Sequence, residues 1–80
     1  MRSEDDIRGS KIARNEFSRR GIDISRADIR LTRGVLHVQG VLGTGGMRQD
    51  DFKATMELVL KVLKSKPEIR DVVINAAYLG

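Results

Sequence analysis

His37 is the only histidine in the chain, and histidine is the side chain whose ordinary pKa lets it trade protons near neutral pH. Acid-base or nucleophilic work would need a carboxylate or a nucleophile held beside it. No such group stands near it in a recognisable arrangement, so His37 reads as an exposed strand residue. Asp50 and Asp51, like the other acidic residues, lack the spacing of a metal-binding loop. With no cysteine, disulfides, thiolate nucleophiles and sulfur-ligated metals are excluded. Gly43-Thr44-Gly45-Gly46, with Arg48 close by, fits the Gly-x-x-Gly pattern of a loop that clamps backbone nucleotides. That loop belongs between two helices, whereas this one follows an expected strand. Asp50 and Asp51 would also repel a phosphate at the start of the next helix. The stretch therefore reads as a flexible connector leading to an Asp N-cap. These residues predict no enzyme, no metal, no cofactor and no small-molecule substrate.

The remaining chemistry is charge. The net charge is +4, an excess that favours nucleic acid or an anionic lipid surface. Basic residues gather between Arg2 and Arg33, but Glu4, Asp5, Asp6, Glu16, Asp23 and Asp28 interrupt them, which describes a solvated mixed-charge surface. Arg8, Lys11, Arg14, Lys53, Lys61 and Lys64 are the candidates for contact with an anionic surface. A nucleic-acid platform needs spare aromatic rings. Phe17 and Phe52 are needed in the core and leave only Tyr78, so RNA ranks third behind protein and lipid partners.

The elements that must carry these residues are organised around a hairpin. Ile29 and Leu31 alternate with Asp28, Arg30 and Thr32. After a turn at Thr32-Arg33-Gly34, Leu36, Val38, Gly40 and Leu42 alternate with His37, Gln39 and Val41. A period of two puts one apolar row on one face, and Gly34 supplies the positive φ of the turn. Strands are expected at about 27–32 and 35–42, with Gly40 admitting a close backbone or helix, or forming a bulge.

A first helix is expected over about 3–20. Ser3 with Asp6 approximates a capping box, and Gly21 is the stop. Ile7, Ser10, Ala13 and Phe17 share its broad face, and Gly9 weakens its middle. A second helix is expected over about 50–66, ended by Pro67. There Phe52, Met56, Val59, Leu60 and Leu63 form the core stripe. Ala54, Leu58 and Val62 form a second apolar row about 90° or more away, at 100° per residue. That row is either covered by the first helix or meets a partner. A β-branched stretch at about 69–78 closes the chain, with Val72, Ile74 and Ala76 inward and Val73, Asn75 and Ala77 outward.

The whole chain, 1–80, is thus one α+β domain of order αββαβ. A hairpin followed by a right-handed strand-helix-strand crossover predicts a mixed three-stranded sheet with two helices packed on one face. The open face is expected to hold Asp28, Arg30, His37, Gln39, Val41, Val73 and Asn75.

The run Ile29-Arg-Leu-Thr-Arg-Gly34-Val-Leu36-His-Val38-Gln-Gly40-Val-Leu42, then a helix, then Ile69-Arg-Asp-Val72-Val-Ile-Asn75, resembles the BON domain. That small αββαβ module belongs to bacterial proteins of osmotic-stress and nodulation type, and Gly34 and Gly40 are the best anchors of the likeness. The resemblance implies non-catalytic binding, to other proteins or to phospholipid. On that reading the helical face serves protein contact or homodimerisation, with Ala54, Leu58 and Val62 as the apolar contact. The alternative is peripheral attachment to an anionic membrane through the same row and the six basic residues named above. The N-terminal stretch is polar, and no run of about 18 apolar residues occurs. This places the chain in the cytoplasm by default, or in the periplasm if a leader has been removed.

Overall fold

Strand β1 (Ala27–Thr32) turns into β2 (Val35–Gly43) through Arg33 and Gly34, whose φ angles are +53° and +84°. Two central residues at positive φ make the primed turn whose twist matches that of the strands it joins. The expectation placed that conformation on Gly34 alone, and Arg33 shares it. The Gly34 carbonyl accepts the N–H groups of Arg70 at 2.7 Å and Asp71 at 3.3 Å. Strand β3 (Asp71–Leu79) is thereby clasped to the hairpin tip at its first residue.

The computed structural model describes residues 4–79. Helix α1 (Glu4–Arg19) precedes the hairpin, and helix α2 (Gln49–Lys64) connects β2 to β3. The sheet order is β1-β2-β3. β1 and β2 are antiparallel with Ile29 opposite Val38, while β2 and β3 run parallel with Val38 opposite Ile74. This is the expected α+β arrangement, a mixed three-stranded sheet with both helices on one face. Ile29, Leu31, Leu36, Val38 and Leu42 point to the helices and are buried, as are Phe17, Val59 and Leu63 from the helices themselves. Burying each such side chain stabilises the fold by about 1.5–3 kcal/mol.

Gly40 carries a positive φ of +88°, and a Cβ there would lie 2.5 Å from the Arg26 carbonyl oxygen. Close backbone approach is therefore the reason for glycine at this position, and the Val41 N–H donates to that same carbonyl at 3.1 Å. Beyond Gly40, Asp23 and Gly43 bridge through a pair of backbone bonds of 3.0 and 2.8 Å, which seats Ile22 in the core.

Ser3, and with it the expected Ser3–Asp6 capping box, lies outside the described residues. Helix α2 differs from expectation at both ends. The N-cap of α2 is Arg48, with no side-chain cap bond, and Asp50 and Asp51 sit in the first turn, where they oppose the positive end of the helix dipole. The helix also stops at Lys64, ahead of the expected 66. The Ser65 hydroxyl donates to the Val62 carbonyl at 2.6 Å and the Lys66 N–H donates to Leu63 at 3.1 Å. Pro67 disfavours helical geometry in the residue before it, so the chain has already unwound there. Strand β3 starts at Asp71 rather than near 69, because Arg70 and Asp71 both turn onto the Gly34 carbonyl.

Helix α1 departs more from the sequence reading. Ala13, Phe17 and Ser10 are buried as expected, but Ile7 is 56% exposed, and Glu16, read as part of the solvated surface, is buried. Its carboxylate accepts from Arg20 Nε at 2.8 Å and lies 3.6 Å from Arg19, pairing that makes burial of the charge tolerable. Gly9 is not merely a weak point. A Cβ there would collide with Leu31 Cδ2, so the missing side chain is what lets α1 lie against β1.

Candidate interaction surface

Helix α2 displays three faces. Phe52, Met56, Val59 and Leu63 are buried against the sheet. On one flank Ala54 is exposed, Leu58 is 44% exposed and Val62 is half-buried. The expected second apolar row therefore exists and reaches solvent at its middle. On the opposite flank, Gln49, Phe52, Lys53, Met56, Glu57 and Leu60 meet Tyr78 of β3 around an apolar cleft of about 350 Å³. The rings of Phe52 and Tyr78 touch edge to face with centroids 5.1 Å apart, yet Tyr78 remains 50% exposed. Exposed large apolar side chains also include Val73 and Leu79, so this exposure is concentrated on α2 and β3, with Ile7 the outlier on α1.

The six basic candidates are all exposed. Arg8 and Lys11 lie about one turn apart on α1, as do Lys61 and Lys64 on α2, while Lys53 stands on the rim of the apolar cleft beside Glu57. Arg14 is partly committed elsewhere, because its guanidinium points at the Ile29 carbonyl oxygen, 3.5 Å away.

The two edges of the sheet are treated differently. At β1 the Leu31 N–H points away from β2 and donates to the buried Ser10 hydroxyl at 3.1 Å. Arg14 reaches the next outward carbonyl, so α1 engages two of the outward groups of this edge with its own side chains. At β3 no other described element pairs with the outer edge. Leu79 C=O bonds Thr44 and Asp71 N–H bonds Gly34, so odd-numbered residues of β3 address β2. Residues along a strand alternate in direction, which turns the N–H and C=O groups of Val72, Ile74, Ala76 and Tyr78 outward. The Val72 N–H confirms the phase, since it bonds its neighbour's carboxylate, Asp71 Oδ1, at 2.8 Å. The residues from Val72 to Leu79 are uncharged. Sequence reasoning found the strand but not this open edge. The available signal was Ser10, a polar residue on the inward face of α1.

His37 lies on the open sheet face between Arg30 and Val73, and Arg30 pairs with Asp28 at 3.0 Å. Among the described residues there is no cluster of metal-ligating side chains, and no helix is long and apolar enough to cross a membrane. The Gly43–Gly46 connector is tied down. Thr44 N–H donates to Leu79 at 2.9 Å, Met47 N–H to Thr44 at 3.1 Å, and Gly45 packs onto the Gly21 carbonyl. It borders a polar cleft of about 270 Å³ with Asp23, Ser25 and Arg26 on its walls. The Ser25 N–H donates to Asp23 Oδ1 at 2.9 Å and, with a side-chain bond from Ser25, holds that carboxyl below the ordinary aspartate range. A carboxylate held ionised on the wall opposes a phosphate.

Comparison of the chain with protein-family models, with curated proteins and with solved structures finds no match.

Proposed function

We propose that this chain is a non-catalytic binding and assembly module of BON-like type, working through the side of the molecule formed by α2 and β3. The observation that carries this reading is the concentration of exposed apolar side chains there, with Leu58, Val73, Tyr78 and Leu79 all at least 37% exposed. Of these, Tyr78 joins Phe52, Met56 and Leu60 in one continuous apolar cleft between α2 and β3, and a contiguous apolar patch on a small soluble fold marks an interaction surface. The test is solution mass by light scattering on a sizing column, for the wild type beside Leu58→Glu. A wild-type dimer supports assembly: if Leu58→Glu turns it into a folded monomer the contact is the Leu58 flank, and if the dimer persists the contact lies on the cleft flank of α2 and β3. A wild-type monomer across the accessible concentration range overturns self-assembly.

A second reading is peripheral binding to anionic phospholipid. It is favoured by Lys61 and Lys64, exposed on the same helix as Leu58. A few basic residues beside an apolar contact give weak, salt-sensitive attachment. Flotation with anionic vesicles at low salt checks it. Absence of co-flotation removes this reading.

A further inference from the structure

An unpaired strand edge is a template for another strand, and proteins normally blunt such edges with charge, proline, a bulge or a covering element. Here, among the described residues, α1 engages β1 and no element pairs with the outer edge of β3. Apart from Asp71 at its start, β3 offers eight uncharged residues in continuous register with β2, from Val72 to Leu79. We propose that the occupant of this edge is β3 of a second copy, running antiparallel about a two-fold axis at Asn75. This rests on the assembly reading above and identifies its partner and its seam.

The register is self-complementary. About a centre at Asn75, Ile74 falls opposite Ala76 of the second copy and Val72 opposite Tyr78. All of these are residues whose N–H and C=O groups point outward. Ile74 and Ala76 therefore exchange both bonds with their counterparts, as a hydrogen-bonded antiparallel pair requires. Asn75 meets Asn75 of the second copy, and Val73 meets Ala77, as non-hydrogen-bonded pairs. No charged residue lies between Val72 and Leu79, so no like charges meet, and each Asp71 falls at an end of the seam opposite Leu79.

A two-fold axis through an antiparallel pair is perpendicular to the sheet, so the helices of both copies stay on one side. Helix α2 then approaches its counterpart antiparallel across the axis, along the flank that carries the apolar cleft. Lys53 and Glu57 stand one turn apart on that rim. Phe52, Met56, Leu60 and Tyr78, which line a half-open cleft in the single chain, are covered by the same residues of the second copy. The arrangement is isologous and closes at a dimer.

The chain has no cysteine, so a single introduced thiol reports on the seam. Non-hydrogen-bonded antiparallel pairs bring Cβ atoms to a separation that a disulfide can bridge. Asn75→Cys is expected to oxidise to a covalent dimer at least about tenfold faster than Gln39→Cys, an exposed control on the central strand, because pairing raises the local thiol concentration to about the millimolar range. Val73→Cys and Ala77→Cys should cross-link when mixed and not alone. All these positions are exposed on the open face or beside it, so the core is untouched. Ala76→Pro removes an N–H that β2 does not use and should give a folded monomer by circular dichroism and light scattering. Asn75→Cys reacting no faster than Gln39→Cys, or a dimer that survives Ala76→Pro, overturns the seam. A dimer abolished by Leu58→Glu without cross-linking at Asn75 would overturn the seam and leave the assembly reading standing.

Discussion

Replacing Ser10 by alanine removes one oxygen from the interior, and the structure sets opposing consequences for stability. Ser10 is 4% exposed and Leu31 is 1% exposed, and the Ser10 hydroxyl is the acceptor for the Leu31 N–H. The space left by one oxygen is too small for water to restore the bond. Leaving a buried donor unsatisfied costs about 1–3 kcal/mol, while exchanging serine for alanine inside a helix gains roughly 0.5 kcal/mol. The net is a loss of about 0.5–2.5 kcal/mol, set against the about 4–12 kcal/mol that a domain of 80 residues commands. With a urea slope near 1 kcal/mol/M for a chain this small, the unfolding midpoint should fall by about 0.5–2.5 M at unchanged slope. Urea titration followed by circular dichroism, at one fixed chain concentration, measures it. Ser18→Ala on the exposed side of the same helix supplies the propensity gain without the lost bond, and should be neutral or slightly stabilising. The reasoning is refuted if Ser10→Ala unfolds at or above the wild-type midpoint, in step with Ser18→Ala.

Further changes probe the other joints. Gly9→Ala forces a methyl into Leu31 Cδ2 at an overpacking cost of about 1–3 kcal/mol, against a helix-propensity gain of about 1 kcal/mol, so a net loss of up to about 2 kcal/mol is expected; thermal unfolding reads it. Glu16→Gln keeps the shape but weakens the bond to Arg20, which is itself partly solvated; a loss of about 1–2 kcal/mol in urea, at the lower end for bonds to charged groups, is expected. For Asp23 the folded carboxyl titrates below its unfolded value, so its contribution is present above the unfolded pKa and is lost as pH falls through the folded one. The Ser25 amide resonance should shift with a midpoint below that of an ordinary aspartate. Asp23→Asn should abolish that titration, and a shift that persists in the variant would assign it elsewhere.

Much of the fold was legible because alternation is a strong signal when one face of a sheet is buried. Ile29, Leu31, Leu36, Val38 and Leu42 each took the side that their spacing assigned. Phe52, Met56, Val59 and Leu63 of the expected helical stripe, and the exposed middle of the Leu58 row, followed from the 3.6-residue period in the same way, whereas Leu60, expected in that stripe, is only half-buried and lines the cleft beside Tyr78. What escaped depends on contacts between segments distant in sequence. Gly9 looked like a flaw in a helix until Leu31 lay against it, whereas Glu16 escaped although its partner Arg20 stands only one helical turn away. The Gly43–Gly46 connector looked loose because its restraints, Leu79 and Gly21, come from elsewhere in the chain. The difference between the two sheet edges is of the same kind, since no local pattern says which edge a helix will lie along.

In the vocabulary of polymer chemistry, the number of reactive ends on a monomer decides what it becomes. A monomer with two grows without limit, and one with a single end stops at its first coupling. A β-subunit with two bare edges is the first kind. Ser10 and Arg14, by occupying the Leu31 N–H and the Ile29 carbonyl, make this chain the second kind. Whatever strand joins β3 meets a subunit whose far edge is already spoken for, so growth of the sheet ends there.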